Sequence, residues 1–153
     1  MDVTLVQMDV PECDSGFSAV TVLADENTLV FGYQVFDADG DLENCAVIHV
    51  PDCIIFKFGA PNDEILHGHR YSSKGLGHYS AYEVLNSDWI QELIAANRVH
   101  PRHNESLFNS NRHFIFTFHD STLEFITSDK IRISRIEGKL VPHLLIKFLS
   151  VGS

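Results

Sequence analysis

The 153-residue sequence has no uninterrupted apolar run near the roughly 18 residues that cross a bilayer as a helix, so a helical membrane span is not expected. Its first residues, Met1-Asp2-Val3-Thr4-Leu5, have neither the basic segment nor the apolar core of a secretory leader, and a cytoplasmic location follows as an expectation. Cysteine is scarce. Cys13, Cys45 and Cys53 are an odd count with no Cys-x-x-Cys spacing, as expected of reduced thiols rather than a disulfide framework. Base is scarce in the first part of the chain: residues 1–66 hold 13 acids against Lys57 alone, while residues 67–153 hold 10 bases and 8 acids. The resulting net charge of −10 repels phosphate and argues against a nucleic-acid partner. The basic stripe Lys130, Arg132 and Arg135 lacks the aromatic platform on which bases stack. Repeats, low-complexity tracts, Gly-x-Ser-x-Gly, phosphate loops, dinucleotide fingerprints and His-Glu-x-x-His are all missing.

What is present reads as one domain over residues 1–153, with 44% hydrophobic and 21% charged residues, the balance of an ordinary globular protein. Strand character runs through 3–10, 18–24, 28–36, 44–50, 53–59, 113–119, 122–127 and 130–136, separated by Pro, Gly, Asp and Asn turns. In 28–36 both faces are apolar, so that strand is expected to be central, with Gly32 marking a bulge or a close backbone approach. In 53–59, Ile54, Phe56 and Phe58 share one face, and Cys53, Ile55 and Lys57 the other. A two-residue turn at Asp120-Ser121 predicts pairing of His119 with Thr122 and of Thr117 with Glu124, with Phe114, Phe116, Phe118, Leu123 and Phe125 on the buried face. Two helices are predicted between these halves, over 79–86 and, capped by Ser87 or Asp88, over 88–97, where Trp89, Ile90, Leu93 and Ile94 recur at helical spacing. Val141, Leu144, Leu145, Phe148 and Leu149 predict a short C-terminal helix. The fold class is therefore α+β. It is a mainly antiparallel sheet of about seven or eight strands, barrel- or sandwich-like, with a helical insertion between strands 5 and 6 and a short C-terminal helix.

Seven of the nine histidines fall between Pro61 and Asp120, in a stretch rich in irregular chain, where binding residues concentrate. His67-x-His69 places two imidazoles on one side of an extended segment, and His78, His100, His103 or Glu64 could complete a site for zinc or another divalent transition metal. His119 with Glu124 or Asp120 could instead do metal-free acid–base chemistry, since a carboxylate orients an imidazole. The acidic segment Asp37–Glu43 resembles a calcium loop only until position 6, which is Leu42 where glycine is needed; it reads as a hairpin turn.

A third reading needs no chemistry. Phe31, Tyr33, Phe56, Phe58, Phe114, Phe116, Phe118 and Phe125 could line a curved sheet around a small-molecule pocket. Trp89, Tyr79 and Tyr82 could anchor a protein partner or a second copy in a homo-oligomer. The favoured expectation is a non-catalytic binding or self-association module. A metal-dependent enzyme using the segment 67–119 is the alternative.

Overall fold

The computed structural model describes residues 1–36, 44–142, 145, 146 and 150. Among these, nine strands form two antiparallel sheets. The five-stranded sheet has the order β1 (Thr4–Gln7), β6 (Ala81–Leu85), β7 (Arg112–Thr117), β8 (Thr122–Thr127), β5 (Cys53–Gly59). The four-stranded sheet has the order β2 (Thr21–Ala24), β3 (Leu29–Gln34), β4 (Asn44–Val50), β9 (Arg132–Glu137).

The two sheets meet through the alternating residues of their central strands. Leu29, Phe31 and Tyr33 of β3 and Ala46 and Ile48 of β4 face Phe114, Phe116, Leu123 and Phe125 of β7 and β8, all buried. Phe31 meets Phe116 edge-to-face at 5.0 Å between ring centroids, a preferred aromatic geometry. Each such side chain, fully withdrawn from water, contributes about 2–3 kcal/mol, so this layer carries most of the folding drive. The result is a sandwich with open edges, not a closed barrel.

Each sheet also has a second covered face. Behind the four-stranded sheet, Val30 and Val47 pack with Leu145 and Leu140 from the C-terminal tail. Gly32 is a close approach: a Cβ there would lie 2.8 Å from Leu140 Cδ1. Behind the five-stranded sheet, Leu66 from the 3-10 turn Asp63–Gly68, and Tyr71 and Leu76 flanking a second turn (Ser72–Lys74), cover Tyr82, Val84 and Ile115. Helix α1 (Asp88–Asn97) adds buried Trp89 and Ile94. Ser87 is its N-cap, its hydroxyl accepting from Ile90 N–H at 3.1 Å.

Several expectations are corrected. The helix predicted over 79–86 is strand β6, wedged between β1 and β7. The insertion between β5 and β7 thus holds a strand, two 3-10 turns before it, and α1 and a third 3-10 turn (Glu105–Phe108) after it. Five residues with contacts on both faces carry no clear period. Backbone partners on either side decided the matter, and positive φ at Tyr79 (52°) and Asn86 (54°) turns the chain at both ends.

The β7–β8 pairing is Thr117 with Thr122 and Ile115 with Glu124, closed by a Phe118 N–H to Ser121 C=O bond. The expected register was off by two residues, which keeps every side chain on its expected face but moves His119 out of the ladder. A bulge between Cys53 and Ile55 turns Cys53 to the inter-sheet side, opposite Thr127, rather than beside Lys57. Cys13 is buried and bridges to Val35. Ile133 and Ile136 lie on opposite faces of β9, and Ile136 packs with the tail cluster. Val141 precedes the helix, Pro142, Leu145, Ile146 and Ser150 are helical, and residues 143, 144 and 147–149, like the acidic turn Asp37–Glu43, lie outside the described residues.

Candidate functional site

Strand β8 places Glu124 on the face of the five-stranded sheet that the 3-10 turns and α1 cover, with its side chain only 7% exposed. Three donors converge on it. His69 Nε2 lies 2.8 Å from Oε1, His113 Nε2 lies 2.9 Å from Oε2, and an Arg70 guanidinium nitrogen lies 3.3 Å from Oε2. Asn62 opens the turn that delivers His69 and Arg70 by accepting from Ile65 N–H.

The other nitrogen of each imidazole fixes its tautomer. His69 Nδ1 accepts from Tyr71 N–H at 3.1 Å, so Nε2 carries the proton it donates to Glu124. The Ser87 hydroxyl donates to His113 Nδ1 at 2.8 Å, and His113 Nε2–H donates to Glu124. Burial holds the His113 imidazole below its ordinary value of 6.5 despite the neighbouring carboxylate, which keeps it neutral. Burial alone would push the Glu124 carboxyl up. The hydrogen bonds from His113 and His69, with Arg70 nearby, outweigh it and hold the group well below the ordinary carboxylate range.

Ser87, His113 and Glu124 are the residue types of a hydrolase triad, and the geometry argues against that role. The serine is buried, and its oxygen already accepts from Ile90 N–H in the first turn of α1. A carboxylate saturated by three donors is a poor base. The assembly therefore ties β7, β8, the 3-10 turn and α1 together as a satisfied buried polar network. Trp89 closes it, edge-on to His113 at 5.2 Å.

An open cleft of about 510 Å³ borders this network, lined by Lys57, Ala60, Pro61, Ile65, Gly68, His69, Arg70 and Glu124. Lys57 stands opposite Glu124 in the β5–β8 ladder, and its ammonium rests 4.0 Å from the centroid of the Trp89 ring.

His119 lies elsewhere. It meets neither Glu124 nor, closely, Asp120, which is 3.8 Å away. Its partner is Asp63: Nδ1–H donates to Asp63 Oδ2 at 2.7 Å, and the Tyr79 hydroxyl donates to the same oxygen. Asp63 holds His119 above its ordinary 6.5. An oriented imidazole with an accessible Nε2 is competent for proton transfer, but no cleft encloses it among those described above.

The histidines singled out for a metal are dispersed. His69 has both nitrogens engaged; exposed His67 has its ring 6.0 Å from that of His78, whose Nε2 contacts the Asp63 carbonyl. His100 Nδ1 accepts from Arg102 N–H, and His103 Nδ1 accepts from the Asn97 amide. Among the described residues, no group of three or more His, Cys, Asp or Glu side chains is arranged to hold a metal ion. Trp89 and Tyr82 are buried and Tyr79 is bonded to Asp63, so this aromatic trio presents no partner anchor.

Sequence reasoning placed Glu124 among candidates but paired it with the wrong histidine. It missed Arg70, Ser87 and Asp63. The parity of His113 with Glu124 across the hairpin was the one available signal for the network. Comparison of the chain with protein families, with curated proteins and with solved structures found no match.

Proposed function

We propose that this protein is a non-catalytic module that self-associates through the free edge of its five-stranded sheet. The observation that carries the reading is strand β5. It ends the sheet with one side unpaired, and Ile54, Phe56 and Phe58 are 47%, 37% and 44% exposed. Edge strands are ordinarily blunted by charge or by a bulge, because unpaired backbone invites another strand. β5 has both devices, but its bulge lies at the Cys53/Ile55 end and its one charge, Lys57, points to the opposite face, so neither guards Phe56 and Phe58. Exposed Phe17 extends the apolar surface beside Phe58.

A second copy is the occupant that fits. Antiparallel pairing of β5 with itself about Phe56 sets Ile54 opposite Phe58 of the other copy. It also sets Lys57 opposite Ile55, so like charges do not face each other. In a chain of net charge −10, a strand without any acid is a place where two copies approach with little repulsion. Sedimentation velocity should show a species of twice the 17.2 kDa chain mass, and Phe58→Glu should return it to the monomer with its thermal midpoint nearly unchanged. A wild-type monomer at every concentration would overturn the proposal.

The metal-dependent alternative rests on the His67–His78 approach, which offers two imidazoles. Elemental analysis of tag-free protein distinguishes the readings. One metal per chain, lost in both His67→Ala and His78→Ala, would favour the enzyme.

A further inference from the structure

We infer that the cleft between β5 and the 3-10 turn Asp63–Gly68 is a binding site for a small organic monocarboxylate with an apolar tail. The inference goes beyond self-association and does not depend on it, because the cleft opens on the opposite face of β5 from Phe56 and Phe58.

Charge is the first ground. Lys57 is the only base among residues 1–66, and the fold brings it to a cleft already holding Arg70. The single carboxylate there, Glu124, is accounted for by His69, His113 and Arg70. Lys57 has no carboxylate in ion-pair range among the described residues; its ammonium is set against the Trp89 ring instead. The Arg70 side chain is one-third exposed and has five N–H donors; of its carboxylate partners, Glu124 is at 3.3 Å and Asp88 only at 3.9 Å. Among the residues lining the cleft, two cations stand against one carboxylate, with Asp88 outside the lining, so the wall carries one positive charge in excess, which suits a monoanion. A phosphate dianion would overcompensate it beside Glu124.

Shape and polarity are the second ground. The volume of about 510 Å³ lies within the range of small-ligand sites. Ala60, Pro61 and Ile65 form an apolar wall, and Ile65 stands 59% exposed next to the two cations. A large exposed aliphatic chain beside positive charge in excess is the complement of a carboxylate with a short alkyl tail.

The buried network makes the site rigid before binding. Arg70 is held against Glu124, and Lys57 is held by Trp89, so little side-chain order remains to be imposed by the ligand.

The test is a titration of the Phe58→Glu protein, monomeric if the edge proposal holds, and of wild type, with sodium hexanoate. Amide shifts are followed by two-dimensional NMR, with hexanol as the neutral control. Saturable shifts of the Lys57, Ile65, Gly68 and Arg70 amides are expected in both proteins. Hexanol should bind about tenfold more weakly, as should hexanoate to Lys57→Met, since one charge-assisted bond is then lost. Lys57→Arg should retain binding, and unchanged thermal midpoints would show that both variants fold. Three results would each overturn the site: no shifts at these amides up to about 10 mM, far weaker than any functional affinity; equal binding of hexanol; or undiminished binding by Lys57→Met.

Discussion

Glu124 shows how a residue's neighbours decide what it can do. Its carboxylate is ionised in a buried place because two imidazole N–H groups and a guanidinium point at it, and each imidazole is locked by a second bond, from Tyr71 N–H or the Ser87 hydroxyl. Glu124→Gln keeps the shape but sets an amide NH₂ against one of two imidazole donors. We expect it to lower stability by about 2–4 kcal/mol in urea unfolding, the scale of leaving a buried donor and a cation unpaired. A loss below about 0.5 kcal/mol, the level of a surface change, would mean the network is not formed in solution. None of this was legible residue by residue. The sequence showed a glutamate on a strand face. The donors came from 54, 55 and 11 positions away.

At the scale of elements, α1 and the sheet are joined through one serine. Ser87 caps the helix and also holds His113, so Ser87→Ala removes two functions at once. The cap alone is worth about 1 kcal/mol and the orphaned imidazole nitrogen about 1–3 kcal/mol, so a combined loss of about 2–4 kcal/mol is expected. Hydrogen exchange should speed up in the first turn of α1 and in β7 together. Acceleration confined to α1 would show that the serine acts as a cap only. The helix itself was readable, since Trp89, Ile90, Leu93 and Ile94 mark one face and Ser87 sits where a cap belongs. Strand β6 was not, because Ala81–Leu85 is a strand by virtue of β1 and β7.

For the whole molecule, the buried titratable groups set the response to acid. His113 and His49 are held below their ordinary 6.5, chiefly by burial, so unfolding takes up protons as the pH falls below about that value and stability drops. Glu124 and Asp63 are held below their ordinary carboxylate values, so their contributions are present near neutrality and are lost on further acidification, below about 4.5 and 3.8. His119 has the opposite sign: raised by Asp63, it favours the fold below 6.5 and loses that effect as the pH rises, but it is exposed and its weight is small. Urea unfolding between pH 8 and pH 4 should therefore show stability falling below about pH 6.5 and more steeply below about 4.5. A flat profile across that range would contradict the buried neutral state of His113.

The sequence by itself determined the antiparallel α+β class, the inward phenylalanine face of the hairpin and the helix over 88–97. These depend on periods of 2 and 3.6 and on local steric rules, which act between near neighbours in the chain. Only the tertiary structure decided that the sheet is split into two, that 81–85 is a strand, that His119 belongs to Asp63 and that Glu124 belongs to His69, His113 and Arg70. Hydrogen bonds and charges act over a few ångströms of space, and the residues that meet there are brought together by the packing of the sheets, whose pairing no local pattern specifies.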